Sequence, residues 1–83
     1  MTGYHVTTLN KMARYRATGA ILPPVRFWKS ENGARAWMRK TGRTVLLAIT
    51  CRKAYSYPLP DHGPWLCYWT PDMIRYYKDI TTP

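Results

Sequence analysis

The sequence predicts an α+β fold: a small, twisted, mostly antiparallel sheet of about four or five strands carrying two helices. Three observations predict it. Two successive stretches each read as a short strand, a hydroxyl residue able to cap a helix, a helix, and a Thr-Gly stop. The run "TVLLAIT", residues 44–50, is dense enough in β-branched and apolar residues to be a strand covered on both faces. The 83 residues also hold four Trp, seven Tyr and one Phe. Each large ring buries about 150–250 Å², so a chain this short can close a core, and residues 1–83 read as one domain.

The elements follow in order. Residues 4–7 alternate and are β-prone. Thr7 or Thr8 then caps a helix, its hydroxyl accepting an unpaired N–H of the first turn. Leu9, Met12 and Ala13, with Arg16 or Ala17, have the spacing of a buried stripe, which puts Lys11, Arg14 and Thr18 on the other face. Gly19 ends the helix as its left-handed residue. Ile21-Leu22-Pro23-Pro24 is an extended connector, because consecutive prolines exclude helix. Residues 25–29 form a second strand. Ser30 caps a second helix, and Glu31 in its first turn suits the positive dipole end. Ala34, Trp37, Met38 and Thr41 mark its buried stripe, and Gly42 stops it. The two units echo each other at a shift of 23: Tyr4 with Phe27, Thr7 with Ser30, Ala13 with Ala36, Arg16 with Arg39 and Thr18-Gly19 with Thr41-Gly42. After the strand at 44–50, residues 52–64 read as a loop rich in Pro, Tyr, Asp and Gly. Residues 65–69 are a further strand. Thr70-Pro71-Asp72 opens one short helical turn, and residues 76–80 close as a last strand.

Thirteen Lys and Arg against four acidic residues give a net charge of +9. Such an excess points to an anionic partner. No apolar run reaches the ~18 residues of a membrane-spanning helix, so no membrane partner is expected. The start of the chain lacks a basic region followed by an apolar one, so the expected location is cytoplasmic, with Cys51 and Cys67 reduced.

Most catalytic chemistry has no foothold. His5, Cys51, His62 and Cys67 are separated by 46, 11 and 5 residues, which is no zinc-ligand pattern, so no metal is expected. Ser30 and Ser56 are the only serines, and neither lies in a Gly-x-Ser-x-Gly turn. Glu31 is the sole glutamate, and no glycine-rich phosphate loop is present. The clearest binding feature is basic. Arg35, Arg39, Lys40 and Arg43 run along the second helix and past its end, and Lys11 and Arg14, with Arg16, form a second group on the first. Trp28, Trp65, Tyr68 and Trp69 are stacking platforms if exposed, but a core this small claims most such rings.

"YHVT" in a first strand, a helix ending in "TG-x-I", a strand leading to "W-x-S" and a helix with "A-R-x-W" resemble the N-terminal half of ADP-ribosyltransferase-like folds. That group includes the RNA 2′-phosphotransferases and the histidine–tyrosine–glutamate class. The resemblance covers about the first 50 residues. It implies a minimal version of that fold, with His5 and Thr7 at the nicotinamide ribose of NAD, Tyr4 beside them, and Trp28 or Ser30 on the facing strand. The family carries its catalytic glutamate on a late strand, whereas no glutamate follows position 31 here. The resemblance therefore implies a reduced relative that binds without turnover. Size and style also resemble the small accessory proteins of bacteriophages and actinobacterial genomes, some of which block host defence.

The expected function is that of a small, non-enzymatic binding protein. Its partner is a nucleic acid, or the acidic or nucleic-acid-binding face of another protein. Lys11, Arg14, Arg35, Arg39, Lys40 and Arg43 are the expected contacts. An NAD-using or RNA-end-modifying enzyme with His5 at its nucleotide site is the alternative, and an inhibitor that binds protein alone is a third reading.

Overall fold

The computed structural model describes residues 1–60, 63–69, 74 and 76–82. The elements are β1 (Thr2–Thr7), α1 (Leu9–Thr18), β2 (Val25–Trp28), α2 (Glu31–Thr41), β3 (Val45–Thr50), β4 (Ser56–Pro58), β5 (Pro64–Cys67) and β6 (Tyr76–Asp79). A single 3-10 turn, Lys53–Tyr55, precedes β4. The strands form one six-stranded sheet in the order β4-β5-β2-β1-β3-β6, paired antiparallel throughout. This is an α+β fold with one strand more than the sequence predicts. The extra strand is β4, inside the predicted loop at 52–64. It is short, and Pro58 stands in it, which an edge strand tolerates and a central one does not. The predicted helical turn at 70–72 lies outside the described residues.

Local chemistry sets the helix ends. Thr8, not Thr7, caps α1: its backbone is extended and its hydroxyl accepts the Lys11 N–H at 3.3 Å. Ser30 does the same for α2, accepting the Gly33 N–H at 3.1 Å. Gly19 and Gly42 end the helices at φ 74° and 72°, a left-handed conformation that a Cβ disfavours.

Alternation along the strands builds a core on each side of the sheet. Val45, Leu47 and Ile49 of β3 join Val25 and Phe27 of β2 and Met12 of α1 on one side. Leu46, Val6 and Trp28 join Ala34 of α2 on the other. Helices α1 and α2 therefore cover opposite faces, and β3 is buried on both, as its composition predicts. On the α1 side the strands come very close at Gly3. A Cβ placed there would stand 2.5 Å from the Phe27 ring.

The α1 stripe departs from its predicted form. Leu9 is 70% exposed and Ala13 is exposed, so Met12 is the helix's one buried residue. The connector takes the missing place: Ala20 and Ile21 are buried, and Ile21 pairs with Ile74 across a β-bridge. The Pro23–Pro24 peptide in that connector is cis. On α2, Ala34 is buried and Trp37 and Met38 are half-buried, but Thr41 is exposed and donates to the Trp37 carbonyl. Cys51 and Cys67 are buried and unpaired in the α1-side core. Burial, reinforced by neighbouring Cys67, pushes the Cys51 thiol up to about 12. Among the described residues, no helix is long and apolar enough to cross a membrane.

Candidate functional site

His5 lies on the α1 side of β1, opposite Leu47. Its Nδ1 stands 2.7 Å from the Arg26 carbonyl oxygen and its Nε2 3.3 Å from the Tyr15 hydroxyl. A carbonyl only accepts, so Nδ1 carries the proton and Nε2 accepts from the Tyr15 O–H. Burial holds the His5 pKa below its ordinary value. The Arg26 hydrogen bond opposes that shift, and the charges of Lys11 and Arg43 add to it. His5 is thus a neutral brace joining β1 to β2 and α1.

The other residues of the proposed nucleotide site do not gather around it. Tyr4 pairs with Trp28 across β1 and β2, on the α2 side. Thr7 is buried on the His5 side, and its hydroxyl finds no partner among the described residues. The Ser30 hydroxyl is engaged at the α2 cap. The sheet therefore separates His5 and Thr7 from Tyr4 and Trp28, and of the five positions only Trp28 and Ser30 line one cleft among the described residues.

A cleft does open on the α2 side, with a volume of about 410 Å³. Trp28 and Trp37 line it with ring centroids 5.5 Å apart, alongside Gly33 and Ala36 of α2 and Gly63 before β5. Lys29, Ser30 and Lys40 complete the lining. Two glycines border the Trp28 indole, and Gly33 is the tighter of them. A Cβ at Gly33 would lie 3.1 Å from its Cδ1, and one at Gly63 would lie 3.6 Å from its Nε1. Lys40 Nζ stands 5.7 Å from the Trp37 ring centre and Lys29 Nζ 4.9 Å from that of Trp65. Both ammonium groups thus lie over aromatic faces, within the reach of cation–π attraction.

The predicted cationic residues divide into two kinds. Arg35 works inside the fold. Its guanidinium donates to Glu31 at 2.9 Å, to the Ile80 carbonyl at 2.7 Å and to the Thr81 carbonyl at 3.2 Å, and its side chain is only 22% exposed. It ties the segment after β6 to α2. Arg16 likewise reaches Asp79 at 4.0 Å. Lys11, Arg14, Arg39, Lys40 and Arg43 are exposed and make no ion pair among the described residues. Arg39 and Lys40 occupy the last turn of α2. Arg43 lines a hollow with Thr8, Leu9 and Asn10 at the start of α1, and Lys11 and Arg14 border another with Tyr15.

The aromatic residues divide too. Trp28 is buried, and Trp65 packs half-buried against the α1-side core with its ring 6.3 Å from Phe27. Tyr68 and Trp69 are about half exposed, at 51% and 50%, and Tyr57 is 44% exposed. Tyr55 and Tyr57 do not stand out in the sequence, although Tyr-Ser-Tyr-Pro alternates as a strand does. Trp37 reads there as core, and Lys29 and the two glycines carry no signal before the chain is folded.

Among the described residues, no group of three or more His, Cys, Asp or Glu is placed to hold a metal ion. Compared with known proteins, the chain gives no significant match to a family model, a curated protein or a solved structure.

Proposed function

We propose that this protein is a non-enzymatic binding protein for an anionic partner, and that the partner is a nucleic acid. The observation carrying this reading is the placement of charge around the α2-side cleft. Lys40 stands over Trp37 in a cleft walled by Trp28 and Trp37, Arg39 shares the last turn of α2, and Lys29 borders the cleft while its ammonium lies over Trp65. Glu31 and Asp79, the two acids among the described residues, pair with Arg35 and Arg16, so neither offsets these cations. Cations beside aromatic rings suit a ligand that offers phosphates and planar bases together. Arg43, Lys11 and Arg14 extend the positive field over the end of α2 and onto α1.

Fluorescence anisotropy with a labelled oligonucleotide, at about 50 and about 200 mM salt, tests this. Affinity should fall steeply with salt. Arg39→Glu with Lys40→Glu should lower it about tenfold or more and flatten the salt slope by about 1.5, since each phosphate contact contributes roughly 0.7–0.9. Unchanged affinity in the double variant overturns the assignment of this surface. Absence of binding at the lower salt overturns the nucleic-acid reading itself.

A further inference from the structure

We infer that the nucleic acid is held as a single strand, with unpaired bases stacked on the half of the sheet that α2 leaves open. This rests on the nucleic-acid reading above. Helix α2 packs on β1, β2 and β3. Beyond it, strand register fixes which side chains share its side of the sheet. Trp28 stands opposite Pro64, and Arg26 stands opposite Leu66. Leu66 in turn stands opposite Tyr57 on the edge strand β4. Tyr68, one residue past the Cys67 that faces the other core, brings its ring to 5.8 Å from Tyr57. A surface therefore runs from the Trp28–Trp37 cleft, across Arg26 and Leu66, to Tyr57 and Tyr68.

That surface has the chemistry of a base platform. Arg26, Tyr57 and Tyr68 are exposed and Leu66 is half-buried. The rings are braced: Tyr55 meets Tyr68 edge-on at 6.2 Å and Trp69 at 4.9 Å, and its carbonyl accepts the Tyr68 N–H at 3.0 Å. Exposed tyrosines held this way lose little freedom when a base stacks on them. Arg26 is the charged side chain in this row, and it is basic, as a phosphate requires. A duplex keeps its base faces inside its own stack and presents only edges and phosphates, so stacked rings are useful only to an unpaired strand. An acidic protein surface would need the cations but not the ring faces.

The test uses the whole protein and a labelled oligothymidine of about 15 nucleotides, free or annealed to its complement. The wild type should bind the free strand at least about tenfold more tightly than the duplex. Tyr57→Ala with Tyr68→Ala should cost the single strand about 10- to 100-fold and leave duplex binding unchanged. Tyr57→Phe with Tyr68→Phe, which keeps the ring faces, should retain single-strand affinity. Photo-crosslinking of a bromouridine strand to the wild type should map to Tyr57 or Tyr68, a readout independent of any variant's folding. Equal wild-type affinity for both forms, equal loss on both in the alanine variant, or crosslinks confined to α1 overturn the inference and leave the basic-surface reading standing. Competition by polyglutamate as effective as by the oligonucleotide overturns it in favour of an acidic protein partner. Binding of neither nucleic-acid form fails the broader reading instead.

Discussion

At His5, side-chain type alone left two roles open, and its neighbours choose between them. Both ring nitrogens are engaged, by the Arg26 carbonyl and the Tyr15 hydroxyl, in a setting that disfavours protonation. The folded-state pKa lies below the unfolded value of about 6.5. Stability contributed by neutral His5 is therefore fully present above about pH 6.5 and is lost as pH falls toward the folded pKa, because the unfolded chain takes up the proton first. Melting temperature should drop between pH 7.5 and 5.5, and His5→Gln should reduce that drop. An equally steep fall in the variant rules out His5 as its source. A strand-borne histidine before a helix was legible in the sequence. Its side of the sheet was not, because that depends on Tyr4 pairing with Trp28, a partner 24 residues away.

Among the elements, those defined by local chemistry were read most closely. Ser30, Gly19 and Gly42 cap as the sequence indicates, and β3 is buried on both faces. Elements defined by distant partners were harder to read. The α1 stripe departs from its spacing: Leu9 and Ala13 are exposed, while Ile21 from the extended connector is buried in the same core as Met12. Strand β4 was hidden because three residues ending in proline resemble a loop until β5 lies beside them. The contact between β1 and β2 gives an element-scale prediction. Gly3→Ala forces a methyl group against the fully buried Phe27 ring. It should destabilise the protein by about 1–3 kcal/mol in chemical denaturation. A neutral result would mean that the two strands separate more easily than their packing indicates.

For the whole molecule, positive charge alone was legible, and its division was not. Arg35 belongs with Arg39 and Lys40 by spacing, yet it ties Ile80 and Thr81 to α2 while Arg39 and Lys40 make no ion pair among the described residues. Arg35→Lys keeps the net charge but loses the planar fork that reaches three acceptors at once. Stability should fall by about 1–3 kcal/mol, with oligonucleotide affinity unchanged well below the melting temperature. The reverse outcome, a stable protein that binds weakly, would return Arg35 to the binding surface. The aromatic residues show the same division. The core takes Phe27, Trp28 and much of Trp65, and the edge presents Tyr57, Tyr68 and Trp69.

That edge carries a hazard that β4 moderates. An exposed strand bearing tyrosines invites another chain to add itself and continue the sheet, which is how polymers begin. Here the outermost strand spans three residues and ends in Pro58, which has no N–H to donate. A newcomer finds too short a ladder to grip. The margin presents exposed rings while the backbone beneath them offers little to copy.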